Sequence, residues 1–217
     1  IVAEDISRPL EEQRGAIVEV NAGPGLLMHL KPAKGKPRPV GQAIVDSLFP
    51  AGDKGRIPIV GIAGSKGTSL TARLMSWLLQ LTGKHVGLSC RDGLFLDKRV
   101  VDKRDCANWA AGQRLLINRS VDAAVFENGA AMILGEGIAY DRCQVGIVTD
   151  AEGAESLADF DIHNAEQLYH VLRTQVDIVL PEGAAVLNAA DPLVARMAEL
   201  CDGDVIFYGL TQDLPAI

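Results

Sequence analysis

A glycine-rich loop followed by two hydroxyl residues is the part of this sequence best suited to chemistry. Residues 61–69 read Gly-Ile-Ala-Gly-Ser-Lys-Gly-Thr-Ser, between the apolar run Ile57–Val60 and the amphipathic stretch Leu70–Leu81. A strand, a glycine loop and a helix in this order present backbone N–H groups and a helix N-terminus to nucleotide phosphates. The pattern predicts a site for ATP and Mg²⁺, with candidate nucleotide-binding residues Gly64, Ser65, Lys66, Gly67, Thr68 and Ser69.

The loop departs from a working phosphate loop at its lysine. Working loops end in Gly-Lys-Thr/Ser, where the lysine reaches the β- and γ-phosphates and the hydroxyl holds Mg²⁺. Here Thr68 stands at the lysine position, Ser69 keeps the hydroxyl for the metal, and Lys66 lies earlier in the loop. Two interpretations of Lys66 stay open: a displaced phosphate-binding lysine, or a charge in a solvated loop.

Composition and charge describe a globular protein and exclude several partners. Of the 217 residues, 48% are hydrophobic and 23% charged, which is enough for a buried core. The net charge of −7 argues against nucleic acid or an anionic membrane as a partner. The four cysteines lack metal-ligand spacing, so we expect free thiols and a cytoplasmic protein. No apolar run approaches the ~18 residues of a membrane span, and the missing initiator Met indicates a fragment, with processing of the N-terminus as the alternative.

Short apolar runs alternate with helical stretches after residue 56. The predicted strands are 57–62, 86–88, 123–127, 145–149, 178–180, 185–187 and 205–208, and the predicted helices are 69–82, 106–118, 164–175 and 192–200. This alternation predicts an α/β fold with a doubly wound, mostly parallel sheet. Ligands of such sheets bind beyond the carboxyl ends of the strands, where the glycine loop and Glu127 both lie.

Residues 1–50 differ from the rest and contain a second pair of oxygen ligands. Glu19 and Asn21 are two apart on an extended segment before the turn Gly23–Gly25, so they share a face. They suit Mg²⁺ carried by nucleotide phosphates, and an exposed polar edge is the alternative. Residues 51–56 are polar and glycine-rich, which predicts a linker.

Along its whole length the sequence resembles cyanophycin synthetases. The segments that carry the resemblance are 3–8, 15–21, 24–25, 28–30, 35–38, 48–50, 56–60 and the glycine loop. The resemblance implies that residues 1–50 end an ATP-grasp domain, with Glu19 and Asn21 binding its catalytic metals. Residues 57–217 would form a Mur-ligase-like central domain of the P-loop NTPase-like type, without a C-terminal Mur domain.

The resemblance also implies a function. Such an enzyme is an ATP- and Mg²⁺-dependent ligase that forms amide bonds on an Asp/Arg polymer through an acyl-phosphate. Its partners would be the upstream ATP-grasp domain, most of which would precede Ile1, the polymer substrate and further copies in a homo-oligomer.

Compared with the family, the sequence keeps fold-bearing residues and loses catalytic ones. By resemblance Glu127 matches an acidic metal-site residue and Asn188 a nucleotide-side asparagine, while Lys66 and Glu127 are the best catalytic candidates. The family's arginine after the glutamate is missing, and Asp150 and Glu155 replace an asparagine and a histidine. The segment from Asn188, which keeps Asp191 before Pro192, also fits a helix N-cap followed by proline.

We therefore expect a degenerate Mur-like domain that serves as a scaffold, as in the shortened, second type of cyanophycin synthetase. One alternative is an active ATP-dependent ligase domain that uses Lys66, Ser69 and Glu127. Another is a regulatory module that binds nucleotide without hydrolysing it.

Overall fold

Two units make up the chain, Ile1–Arg56 and Ile57–Ile217. The structure, a computed structural model, describes residues 1–23, 25–211 and 214. Pro24, in the turn predicted after Asn21, lies outside the described residues. The boundary between the units comes directly after the predicted linker, and the ATP-grasp origin of the first unit stays a prediction.

The first unit has little regular structure. Its described residues contain a 3₁₀ helix, Leu10–Glu12, and two short α-helices, α1 (Leu27–Leu30) and α2 (Val40–Leu48). Among its described residues only Gln13 is buried, and the Gln13 amide donates to the carbonyl oxygens of Asp5 (2.7 Å) and Arg8 (2.8 Å). Polar contacts of this kind, rather than an apolar core, order the described part of the unit.

The second unit is built on one sheet. Its strands are β1 (Ile59–Ala63), β2 (Val86–Cys90), β3 (Gly93–Leu96), β4 (Arg99–Asp102), β5 (Ala123–Asn128), β6 (Cys143–Val148), β7 (Val179–Asn188) and β8 (Asp204–Tyr208). Across the sheet they lie in the order β4-β3-β2-β5-β1-β6-β7-β8, and all pairs from β2 to β8 are parallel. The predicted mostly parallel α/β sheet is confirmed.

Helices connect the parallel strands. They are α3 (Thr68–Gln80), α4 (Trp109–Leu116), α5 (Ala130–Gly135), α6 (Ala165–Leu172), α7 (Thr174–Asp177) and α8 (Pro192–Arg196). Helix α4 begins after the predicted start at Cys106, because the Asn108 side chain caps it by accepting the Ala111 N–H at 2.9 Å. None of the helices in the described ranges is long and apolar enough to cross a membrane.

The centre of the sheet is buried on both faces. All residues of β1 are buried. Ile59 packs with Phe126 in one apolar cluster, and Ile62 packs with Ala72 of α3 in the other. A parallel strand covered on both faces reads as a continuous apolar run, which is why the sequence predicted β1. Burying each large aliphatic side chain stabilises the fold by about 1.5–3 kcal/mol, so β1 firmly anchors the loop that follows it.

Two features of the sheet differ from the sequence prediction. Strands β3 and β4 form an antiparallel hairpin after β2, at the sheet edge, and were not predicted. Strand β7 is continuous where two strands were predicted, although it contains Pro181 and Gly183. Its pairing with β6 shifts register between Cys143 and Val145, so the chain stays extended through these turn-forming residues.

Candidate nucleotide and metal site

The carboxyl ends of the parallel strands meet along one edge and bring the predicted site residues together. In the sheet register Ile62 of β1 lies beside Glu127 of β5. On the other side of β1, the Thr149 N–H donates to the Ala63 carbonyl at 3.0 Å, so the segment after β6 lies against the loop after β1. The topology therefore places the glycine loop, Glu127 and Asp150 at one edge.

Two glycines shape the loop between β1 and α3. Gly64 has φ +132° and Gly67 has φ +70°, in the range where residues with a Cβ are strained. A Cβ on Gly64 would also overlap the Thr149 hydroxyl. Gly67 turns the chain into α3, which begins at Thr68. These conformations give the strand, loop and helix that the sequence predicted.

The carboxylate of Asp150 occupies backbone amides of this loop. It accepts the N–H groups of Ser65 at 3.1 Å and Lys66 at 2.9 Å. It also accepts the hydroxyls of Ser65 at 2.6 Å and Thr149 at 2.8 Å. Amides of a phosphate loop ordinarily cradle phosphate oxygens. In this chain a side chain that is only 6% exposed takes two of them.

Both charged groups beside the loop are held in their ionised forms. Burial raises the pKa of Asp150, but the hydrogen bonds from Ser65, Lys66 and Thr149 outweigh burial and lower the pKa below 3.8. The Lys66 ammonium pairs with Glu152, whose hydrogen bond and charge raise the lysine pKa. This pair is exposed, so the loop's own lysine forms an ion pair at the surface.

Glu127 is buried and held by four donors. Its carboxylate side chain is 1% exposed. One oxygen accepts the Thr68 hydroxyl at 2.7 Å and lies 3.0 Å from the Arg91 Nε. The other accepts the Ser69 hydroxyl at 2.7 Å and the Arg91 backbone N–H at 2.8 Å. A carboxylate has about four lone-pair positions, so these donors fill it.

Sequence reasoning missed Arg91. This residue directly follows β2, which pairs with β5, so its backbone and its guanidinium both reach Glu127. The sequence lacks the arginine that the family resemblance predicts after the glutamate, and in the structure a cation that follows another strand lies beside Glu127. The sequence does show a charged residue, Arg91, directly after a short apolar run. That Glu127 is the partner of Arg91 could not be predicted, because it depends on the order of the strands in the sheet.

The contacts of Glu127 and Asp150 bear on whether the site fits Mg²⁺ and the phosphates of ATP. Mg²⁺ needs oxygen ligands in a near-octahedral arrangement, and the Glu127 oxygens already accept four hydrogen bonds or ion-pair contacts. Phosphate needs free amides, and those of Ser65 and Lys66 bind a carboxylate. The predicted residues therefore lie together, but in this arrangement they do not fit a magnesium nucleotide.

Asn188 and Asp191 support the backbone beside the site. The Asn188 side chain donates to the Thr149 carbonyl at 2.8 Å. Asp191 caps α8 through one oxygen and accepts the Ala151 N–H at 2.8 Å through the other. Together they fix the segment that carries Asp150. A contact of Asn188 with nucleotide stays a prediction.

The remaining predicted residues lie elsewhere. Glu19 and Asn21 belong to the first unit, where the Asn21 amide donates to the Glu19 carboxylate at 2.7 Å and both are exposed. Glu155 is exposed in a 3₁₀ helix, Ala154–Phe160. Over residues 1–23, 25–211 and 214, no three His, Cys, Asp or Glu side chains are grouped so that they could hold a metal ion. The metal role of Glu19 and Asn21 stays a prediction.

The cysteine thiols take no part in the site. All four cysteines are free, as the sequence predicted. Burial raises the pKa of Cys90 to about 11 and that of Cys143 to about 12. These two thiols are therefore protonated and unreactive at neutral pH.

A cavity of about 300 Å³ opens beside the loop. Ser65 and Arg91 give it a polar wall, and Met132, Leu157 and Leu168 are among its apolar lining residues. Its volume is at the lower end of the ~300–1,000 Å³ range of small-molecule pockets. The edge of the sheet thus keeps a concave space next to the occupied amides.

Comparison with known proteins identifies the relatives of this chain. No family model matches the sequence. The chain is 40% identical over all of its 217 residues to the cyanophycin synthetase of Synechocystis sp., of which it covers 25%. The chain corresponds to a segment of cyanophycin synthetases. It is also 39% identical over 213 residues to the cyanophycin synthetase of Crocosphaera subtropica, and it spans about a quarter of the length of these curated relatives.

The fold of this chain is similar to that of Mur ligases and a folylpolyglutamate synthase. A solved UDP-N-acetylmuramoyl-L-alanyl-D-glutamate–2,6-diaminopimelate ligase superposes with a TM-score of 0.61 at 13% identity, covering 79% of this chain and 35% of that one. A bifunctional folylpolyglutamate synthase/dihydrofolate synthase superposes with a TM-score of 0.52 at 13% identity, covering 72% and 44%. At this identity the likeness concerns the fold alone, and the predicted Mur-ligase central-domain fold is confirmed.

Proposed function

We propose that this chain is part of a cyanophycin-synthetase-like ligase and that its second unit is a non-catalytic domain supporting the enzyme's assembly. The observation that carries the proposal is the Asp150 carboxylate on the amides of Ser65 and Lys66. A nucleotide would have to displace this ionised group and then place its own negative phosphates beside it. Like charges brought together in this way cost several kcal/mol.

The chemistry proposed for the parent enzyme takes place outside the second unit. Amide bonds would form on an Asp/Arg polymer through an acyl-phosphate, with ATP and Mg²⁺ bound by an ATP-grasp domain that includes residues 1–50, Glu19 and Asn21 among its metal ligands. Phosphoryl transfer needs cations at the γ-phosphate. In the second unit Thr68 stands at the lysine position and Lys66 pairs with Glu152. The proposed partners are the ATP-grasp domain, the polymer and further copies in a homo-oligomer.

A calorimetric titration of Mg²⁺-ATP into the 217-residue chain tests the proposal. We expect no heat of binding and no hydrolysis above a denatured-protein control, and no change in Lys66→Ala. Lys84→Ala, which removes an exposed lysine outside the loop, is the matched control. Binding with turnover that Lys66→Ala abolishes, while Lys84→Ala keeps it, would instead establish an active ligase domain with a displaced lysine.

A nucleotide-binding regulatory module is the second candidate. The cavity of about 300 Å³ beside Ser65 and Arg91 favours it, because a small ligand could lie there without displacing Asp150. Measuring hydrolysis in the same samples separates the candidates. Saturable binding of ATP without hydrolysis would contradict the scaffold proposal and support a nucleotide-binding regulatory module.

A further inference from the structure

We propose that Arg91 is the permanent cation of this site and that the Glu127 centre is independent of metal ions. In this arrangement the guanidinium and the backbone N–H of Arg91 contact both oxygens of Glu127, the residue that the family resemblance assigns to a metal site. The inference deepens the proposed function and rests on it for the view that the second unit is structural. Its test uses Mg²⁺ without any nucleotide, so the two can fail separately.

The first argument is the charge balance at Glu127. A buried carboxylate is tolerated only when it is paired and hydrogen-bonded. Glu127 has a cation 3.0 Å away, and both of its oxygens accept hydrogen bonds. Lys66, the nearby loop cation, pairs with Glu152 instead. The negative charge is therefore balanced by a residue of the chain itself.

The second argument is geometric. The backbone of Arg91 is held beside Glu127, because its N–H binds one oxygen, and the half-exposed guanidinium contacts the other oxygen at 3.0 Å. The Thr68 and Ser69 hydroxyls, at the start of α3, bind one oxygen each. A metal ion would have to displace the Arg91 guanidinium or another donor from an oxygen before it could use that oxygen of Glu127 as a ligand.

Thermal unfolding in Mg²⁺ and in a chelator tests the proposal. We expect wild-type protein to have the same Tm in millimolar Mg²⁺ and in EDTA. Arg91→Ala leaves the Glu127 charge buried and unpaired, so we expect its Tm in EDTA to fall by roughly 5–10 °C. Millimolar Mg²⁺ should restore much of that loss in Arg91→Ala, because the position beside Glu127 and Ser69 is then open to a cation.

Two variants control for general effects of losing an arginine. Arg73→Ala removes a guanidinium paired with Asp92 at the surface at 3.1 Å, and we expect a Tm change below about 2 °C with no response to Mg²⁺. Arg91→Ala combined with Glu127→Gln removes both charges. We expect this double variant to be more stable in EDTA than Arg91→Ala and not to respond to Mg²⁺.

The proposal is overturned if Mg²⁺ raises the Tm of the wild-type protein, or if Arg91→Ala matches the wild type in EDTA. If Arg91→Ala does not fold, Arg91→Lys takes its place. Lysine keeps the charge but not the planar guanidinium, so a partial loss of Tm without a Mg²⁺ response supports the proposal and a Mg²⁺ response contradicts it. ATP binding to the wild-type protein without a Mg²⁺ effect on Tm would overturn the scaffold proposal alone.

Discussion

Asp150 holds the glycine loop with a charge, and that charge makes the loop sensitive to acid. The folded pKa of Asp150 lies below its ordinary value of 3.8. Its contribution to the free energy of unfolding is therefore complete above about pH 4 and is lost as the pH falls through the folded pKa. We expect Asp150→Asn to lower the free energy of unfolding by roughly 1–3 kcal/mol at neutral pH. The substitution turns one accepting oxygen into an NH₂ donor, which would face a backbone N–H of Ser65 or Lys66. Urea unfolding from neutral pH down to about pH 3 should show a shallower loss in the variant than in the wild type.

Asp159→Asn is the matched control for this pH experiment. Asp159 is exposed in the 3₁₀ helix Ala154–Phe160, so its substitution should leave the pH profile of the wild type intact. Parallel loss of stability in Asp150→Asn and the wild-type protein below pH 4 would show that Asp150 does not carry this charge effect.

The sequence reveals which residue types stand at the site but not how they pair. The family resemblance predicts an asparagine where this sequence has Asp150, whereas the direction of the Asp150 carboxylate depends on how the segment after β6 meets the loop after β1. Arg91 and Glu127 are far apart in the sequence and adjacent only because β2 pairs with β5. Long-range contacts of this kind follow from the order of the strands, which apolar periodicity does not determine.

Three buried polar side chains join separate elements beneath β1. The Asn128 amide, at the end of β5, donates to the Tyr140 hydroxyl at 2.8 Å and to the Gln175 side-chain oxygen of α7 at 2.7 Å. A Cβ on Gly61 of β1 would overlap both Tyr140 and Gln175. The network therefore fixes how α7 and β5 lie against the central strand, and its members must keep their hydrogen bonds because they are buried.

Removing one hydroxyl from this network should destabilise the second unit. We expect Tyr140→Phe to lower the free energy of unfolding by roughly 1–3 kcal/mol, because Asn128 and Gln175 lose a partner that water cannot replace. Urea denaturation followed by circular dichroism measures the change.

Tyr208→Phe is the comparison for Tyr140→Phe, since Tyr208 is 39% exposed on β8 and its hydroxyl can reach solvent. Equal losses of unfolding free energy in the two variants would mean that the buried network adds no stability beyond that of an exposed tyrosine hydroxyl.

At the level of elements, burial explains which predictions succeeded. Strands such as β1 and β5 are buried along their whole length, and their apolar runs were predicted as strands from the sequence. The β3–β4 hairpin was missed because β4 is short and largely exposed, so it lacks a distinctive apolar pattern. The observed ends of helices and strands differ from the predicted ends where a side chain caps a helix, as at α4, or where a bulge lies in a strand pair, as at β7.

The whole chain divides where its composition changes. Residues 51–56 are all exposed and contain Lys54 and Arg56, whereas the apolar clusters of the structure lie in the second unit. We expect limited trypsin digestion to cut at these two residues early and to leave a stable fragment of residues 57–217. Mass spectrometry of a digestion time course checks this outcome.

A chain that begins at Ile57 provides the control for the digestion experiment. It should resist trypsin as the fragment does and unfold in one cooperative transition. Rapid degradation of both the chain that begins at Ile57 and the tryptic fragment would show that the second unit needs the first in order to fold.

The Asp150 carboxylate on the loop amides and the Arg91 guanidinium on Glu127 bear on whether the stability of the second unit depends on a ligand. A domain that binds a nucleotide gains stability as the ligand concentration rises and loses it as the ligand is used up. Asp150 and Arg91 supply the corresponding charges from within the chain, so their effective concentration is constant. If the second unit has the proposed scaffold role, we expect it to keep its shape when the ATP concentration falls, which would suit a domain that supports an assembly.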